Sequence, residues 1–190
     1  MSDNEAPNHP FYEETIASKP VYRGRVISLQ VDTVRLPTGK TTEREIVRHP
    51  GAVAVLALRG DRMLAVEQYR KALEKVHLEI PAGKLDSAEE PREAALRELE
   101  EETGCRARSL QHVWSFSTSP GFADEVLHLF FTDDLEPGEV RLDEDEFLTC
   151  SELTLEEAEN AIREGRICDA KTLLAVQFWK NRRLAGQAIR

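Results

Sequence analysis

GKLDSAEEPREAALRELEEETGC, from Gly83 to Cys105, is the stretch on which the reading of this chain turns. Ser87 with Glu90 three residues later predicts a capping box, and Pro91 suits a first helical turn. Gly104 predicts the left-handed residue that closes the helix. At about 3.6 residues per turn, Glu98, Glu101 and Glu102 share one face, with Ala95 and Leu99 beside it and Leu96 and Thr103 further round as the packing stripe. Arg97, four residues before Glu101, is placed to brace a carboxylate. Three carboxylates on one face repel one another unless a cation sits among them. One reading is a solvated acidic helix; the other is a site for Mg²⁺ or Mn²⁺, which take hard oxygen ligands.

The spacing decides between them. Gly-x5-Glu-x7-Arg-Glu-apolar-x-Glu-Glu-x-Gly-apolar is matched without departure, and seven fixed identities coincide by chance on the order of once per 10⁸ registers. The stretch resembles the signature of the Nudix hydrolases, which cleave nucleoside diphosphates linked to another moiety.

Working outward, the 190-residue chain carries 25 Lys+Arg against 35 Asp+Glu, a net charge of −10. That argues against a nucleic-acid groove or an anionic membrane surface as partner, while bound divalent metal can still admit a phosphate ligand. Three cysteines without a CxxC pair predict free thiols in a reducing cytosol. The longest apolar run, Ala52–Leu58, is too short to span a bilayer, and the acidic N-terminus shows no signal peptide. A cytoplasmic protein is expected.

Residues 1–20 read as a polar tail, partly ordered, with prolines at 7, 10 and 20. Residues 21–48 read as a two-stranded β-hairpin arm, and the change of apolar phase between Val31 and Val34 predicts a bulge. Residues 49–190 form the main domain, opening on the continuous apolar strand through Ala52–Leu58. Strands then follow at Met63–Tyr69, Val76–Ile80, Leu110–Phe116, Val126–Thr132 and Phe147–Cys150. Thr154 with Glu157 caps a helix that stops at Gly165, and Asp169 caps the last one. This order, lacking regular βαβ alternation, indicates an α/β fold, a mixed-sheet αβα sandwich. The Nudix resemblance implies the same sandwich, with the signature helix between two sheets.

The resemblance also implies roles. Glu98, Glu101 and Glu102 match metal carboxylates, and the carbonyl of Ala82 a further ligand, presented by a backbone turn that Gly83 permits. Arg97 and Glu89 are expected to brace. Pro120, fifteen residues beyond Cys105, marks the ADP-ribose pyrophosphatases. REIVRHPGAVAVLAL, VEQYRKALEKVHLEIPAGKL, STSPGFADE, LDEDEF and CDAKTLLAVQFW resemble the bacterial branch of that group. By that resemblance Arg70 contacts substrate phosphate, Arg44 and Glu45 reach the adenosine half across a homodimer, and Glu125 lines the terminal-ribose side. The general base is then Glu144, on the acidic loop Asp143–Glu146, with Glu146 next and Glu98 or Glu101 as the fallback. The implied activity is Mg²⁺-dependent hydrolysis of ADP-ribose, with Mn²⁺ as a possible substitute. Other readings are a pyrophosphatase for another nucleotide sugar or dinucleotide, or a silent nucleotide sensor, which would be expected to lack a motif carboxylate. A protein-interaction scaffold would leave the carboxylate spacing unexplained.

Overall fold

The computed structural model describes residues 9–142 and 147–186. The chain divides into two compact units, one formed by residues up to Gly51 together with Ser117–Glu125, the other by Ala52–Phe116 and the residues from Val126 onward.

The first unit is an antiparallel sheet of β1 (Glu14–Arg23), β2 (Ser28–Arg35) and β3 (Thr41–Arg48), in that order. It differs from the expected hairpin by one strand, because β1 lies largely in the segment read as a tail. The reason is its edge position. Every residue of β1 is exposed, so no buried face imposes an apolar alternation. Pro20 is tolerated there because an edge strand can forgo a ladder donor. The bulge was expected on β2, yet β2 pairs with β3 without a break from Ser28↔Arg48 to Arg35↔Thr41. The register shifts fall on β1, between Thr15 and Ala17 and between Pro20 and Tyr22. The apparent phase change in β2 comes from Asp32, a polar residue buried in line with Val34. Residues 117–125 join this unit through Val47, whose N–H donates to the Phe122 carbonyl at 2.7 Å and whose carbonyl accepts from Asp124 N–H at 3.2 Å.

The second unit is layered about β4 (Ala52–Arg59), buried from Val53 to Leu58. Its side chains alternate between two cores. Ala54, Leu56 and Leu58 pack with Ala158, Ala161, Ala175, Val176 and Trp179, whereas Val53, Val55 and Ala57 pack with Ala94, Ala95 and Leu99. Helix α1 (Pro91–Thr103) therefore covers one face, and α2 (Leu155–Arg163) with α3 (Ala170–Leu184) covers the other. Burying each valine or leucine of β4 contributes roughly 1.5–3 kcal/mol before entropy is counted, so a strand buried on both faces anchors both layers.

Around β4 the sheet runs β12 (Leu148–Thr154), β5 (Arg62–Arg70), β4, β10 (Val126–Thr132) and β9 (Gln111–Ser117), with β6 (Lys75–Glu79) on β5 and β7 (Ala82–Lys84) on β4. β10 is parallel to β4 and β5 antiparallel, so the sheet is mixed as expected. A ribbon of β8 (Cys105–Ala107) and β11 (Leu135–Pro137) packs with α1 in the second core.

The helix ends agree with the sequence in part. Gly104 closes α1 at φ 66°, Thr154 and Glu157 form a capping box, and Asp169 caps α3. Ser87 does not cap α1. The N-cap is Glu90, without a side-chain hydrogen bond, and Pro91 is the first helical residue. The segment before it is held instead by Glu89, whose carboxylate accepts from Asp86 N–H at 3.1 Å.

Candidate active site

Within the second unit, α1 and the loop entering β7 meet at the acidic face. Pro81 is tied to β4 by Val55 N–H at 2.9 Å, and Ala82 and Gly83 pair with Ala54 and Val53. This fixed backbone receives two helix carboxylates. Glu102, 2% exposed, accepts from Ala82 N–H at 3.0 Å. Glu98, also buried, sits so close over Gly83 that a Cβ there would lie 1.9 Å from its carboxyl carbon. The glycine is therefore required for close approach. Its φ is not in the left-handed region, unlike that of Gly104, so the permitted turn expected of it is not its role.

Arg97 organises the carboxylates. Its Nη1 donates to Glu98 at 2.7 Å and to Glu101 at 3.0 Å, while Nε and Nη2 grip Glu89 at 3.0 and 2.9 Å. Nη2 also reaches the Lys84 carbonyl at 3.3 Å. The hydrogen bond to Glu89, against the cost of burial and with Glu98 and Glu101 adding to it, holds the guanidinium charged far above its ordinary range. The same contact draws Glu89 below the usual carboxylate range. Arg97 and Glu89 are thus braces, and one Arg97 nitrogen draws Glu98 and Glu101 together.

Among the described residues no three His, Cys, Asp or Glu side chains converge on one metal position. The donors present are carboxylate and backbone oxygens, and the Glu98 carboxylate lies directly against the loop backbone because Gly83 has no Cβ. Mg²⁺ takes one or two carboxylates and completes its shell with water and substrate phosphate, so this donor set fits it.

Arg70 ends β5 in the same unit. Its Nε and Nη2 donate to Glu79 at 2.9 and 2.6 Å. Glu79 is buried, and Lys171 Nζ reaches it at 2.6 Å. Burial alone would raise the Glu79 pKa; the hydrogen bond from Arg70 and the Lys171 charge outweigh it and lower it to about 2. Neither Glu79 nor Lys171 was singled out from the sequence. The signal was present, since Glu79 is a lone charge between Leu78 and Ile80, where only a paired carboxylate is tolerated.

Four of the remaining sequence candidates, Arg44, Glu45, Pro120 and Glu125, fall in the first unit. Arg44 on β3 makes a two-point contact with Glu13 at 2.9 and 2.7 Å, and Glu45 is exposed beside it. Pro120 is exposed in the turn closed by Phe122 N–H and Ala123 N–H on the Ser119 carbonyl. Glu125 accepts from Thr118 Oγ1 and faces His49 Nδ1 at 3.5 Å. Asp124, which the sequence did not flag, fastens this loop to β3 through Arg48 at 3.0 Å and His49 N–H at 2.8 Å. Glu144 and Glu146 lie outside the described residues.

Residues 47–175 match the family described as NUDIX domain, and residues 13–47 match the nucleoside diphosphate sugar hydrolase N-terminal domain. The chain is 55% identical over 171 residues to the methanol dehydrogenase activator of Bacillus methanolicus, covering 88% of this chain and 92% of that protein. It is 50% identical over 169 residues to the ADP-ribose pyrophosphatase of Bacillus subtilis (strain 168), covering 87% and 91%. A crystal structure of an ADP compounds hydrolase is similar in fold, with a TM-score of 0.81 over 94% of this chain and 97% of that one, at 22% identity.

Proposed function

Because the chain belongs to the NUDIX family, we propose that it hydrolyses the pyrophosphate bond of ADP-ribose, giving AMP and ribose 5-phosphate. The observation that carries the chemistry is the seating of Glu98 and Glu102 on the Ala82–Gly83 backbone. The substrate rests on the likeness to the Bacillus subtilis enzyme over most of both chains.

Glu98, Glu101, Glu102 and the backbone carbonyl of Ala82 would hold the divalent ion, Mg²⁺ or in its place Mn²⁺. Such an ion neutralises the diphosphate oxygens and lowers the pKa of water. Arg70 presents a planar fork suited to phosphate oxygens. Arg97 keeps Glu98 and Glu101 in place without touching substrate. Glu144 takes the proton from the attacking water as the new P–O bond forms and the bridging P–O bond breaks, and Glu98 or Glu101 is the fallback. Pro120 and Glu125 shape the terminal-ribose side.

The protein is a cytoplasmic homodimer in this reading, built through the sheet of β1–β3, with Arg44 and Glu45 serving the partner's nucleotide. Support comes from the apolar exposure of that sheet, where Ile16, Val21 and Tyr22 are all open to solvent. No described helix is long and apolar enough to cross a membrane.

The test is incubation with Mg²⁺ or Mn²⁺ and a panel of nucleotide sugars and dinucleotides, with the phosphate-ester products quantified. ADP-ribose should be cleaved most efficiently. Better turnover of another member would reassign the substrate, and no turnover of any would leave a nucleotide sensor. A second reading is favoured by the 55% identity to the methanol dehydrogenase activator: the same hydrolytic site raises the rate of a partner dehydrogenase. Stimulation of a methanol dehydrogenase by the wild-type chain, absent with Glu102→Gln, would support it.

A further inference from the structure

Glu79 is as buried as its apolar neighbours Leu78 and Ile80. A carboxylate there has to be compensated by partners of fixed geometry. Two cations supply this. Arg70 meets both carboxylate oxygens, and Lys171 Nζ bridges from Oε2 at 2.6 Å to Asp169 Oδ1 at 2.9 Å. Asp169 Oδ1 accepts in turn from Thr172 N–H and Thr172 Oγ1, both at 3.0 Å. Thr172 Oγ1 accepts from Ile80 N–H at 3.1 Å, which returns the circuit to the residue after Glu79. The first turn of α3 thus fastens the end of β6 from behind.

The consequence falls on Arg70. A two-point grip defines the plane of a guanidinium, where a single contact would leave it free to rotate. The side chain keeps 41% of its surface exposed, and its Nη1 makes no hydrogen bond to a described residue. A half-exposed cation is thus held in a fixed plane through Nε and Nη2, with Nη1 outside that grip.

We propose that Glu79, backed by Lys171, is a positioning residue that orients Arg70 for the diphosphate of the substrate. This rests on the reading that Arg70 meets that diphosphate. It makes a prediction opposite in sign to simple charge. Glu79→Gln removes a negative charge beside an anion site, which by Coulomb's law alone would tighten anion binding. Loss of orientation weakens it.

Binding of inorganic pyrophosphate to the full chain, at constant Mg²⁺, is measured by titration calorimetry, with folding checked by thermal melting. Glu79→Gln should weaken binding about tenfold, and Arg70→Ala by at least as much. In the Arg70→Ala background, Glu79→Gln should cost nothing further, because nothing remains to be oriented. Arg70→Lys keeps the charge at this half-buried position but has no fork to grip, and should also lose about tenfold. Unchanged or tighter binding by Glu79→Gln, an additive loss in the double variant, wild-type affinity of Arg70→Lys, or no pyrophosphate binding by the wild type would each overturn the proposal. Failure to cleave ADP-ribose while this binding pattern holds would count against the proposed activity and leave the positioning role standing.

Discussion

Gly83→Ala tests whether the seat of Glu98 matters. The added methyl would lie 1.9 Å from the carboxyl carbon and from Oε1, and 2.3 Å from Oε2. Ordinary contact between such atoms is about 3.5 Å, so the carboxylate has to retreat by roughly 1.5 Å. It cannot do so freely, because Arg97 holds Oε1 at 2.7 Å and is itself committed to Glu89. Overpacking of this kind costs about 1–3 kcal/mol, which for a chain of this length lowers Tm by roughly 2–4 °C per kcal/mol. Displacement of a catalytic group by about 1 Å costs on the order of 10²-fold in rate. The variant should fold, melt several degrees early, and lose about 10²-fold in kcat/KM for ADP-ribose, measured by AMP release at saturating Mg²⁺. A kcat/KM within threefold of wild type would refute the claim that the position of Glu98 over this glycine is needed.

Glu102→Gln can still accept from Ala82 N–H, so it should retain the fold and lose at least about 10²-fold in turnover; near wild-type rates at limiting Mg²⁺ would remove Glu102 from the metal set. Glu79 has its pKa lowered from 4.5 to about 2, so its stabilisation is fully present above about pH 4.5 and is lost as pH falls through about 2. On the order of 3 kcal/mol is involved, and urea midpoints between pH 6 and pH 2 should fall more steeply for wild type than for Glu79→Gln; parallel curves would contradict the assignment. Deleting residues 1–48 should yield a poorly soluble monomer with little ADP-ribose hydrolysis, and sedimentation of the full chain as a fully active monomer at micromolar concentration would refute the dimer.

Much of the second unit was legible in the sequence because its determinants are local. A 3.6-residue period places Glu98, Glu101 and Glu102 together, Pro91 and Gly104 bound their helix, and an unbroken apolar run marks the strand buried on both sides. Spacing alone also brought Arg97 to Glu101. What the tertiary structure decided lies where partners are distant or where burial leaves no pattern. β1 pairs along an edge with both faces wet, so its composition resembles a tail. Residues 117–125 join the N-terminal sheet through Phe122 and Asp124, which meet Val47 and Arg48; Arg48 and Asp124 are 76 positions apart in the chain. Gly83 reads as a turn glycine until the Glu98 carboxylate is found against it. Glu79 and Lys171 are 92 residues apart, and neither has a local reason to be charged. Periodicity and capping act within a few residues, whereas a buried ion cluster or a close backbone approach exists only once the chain has brought remote groups into a low-dielectric interior.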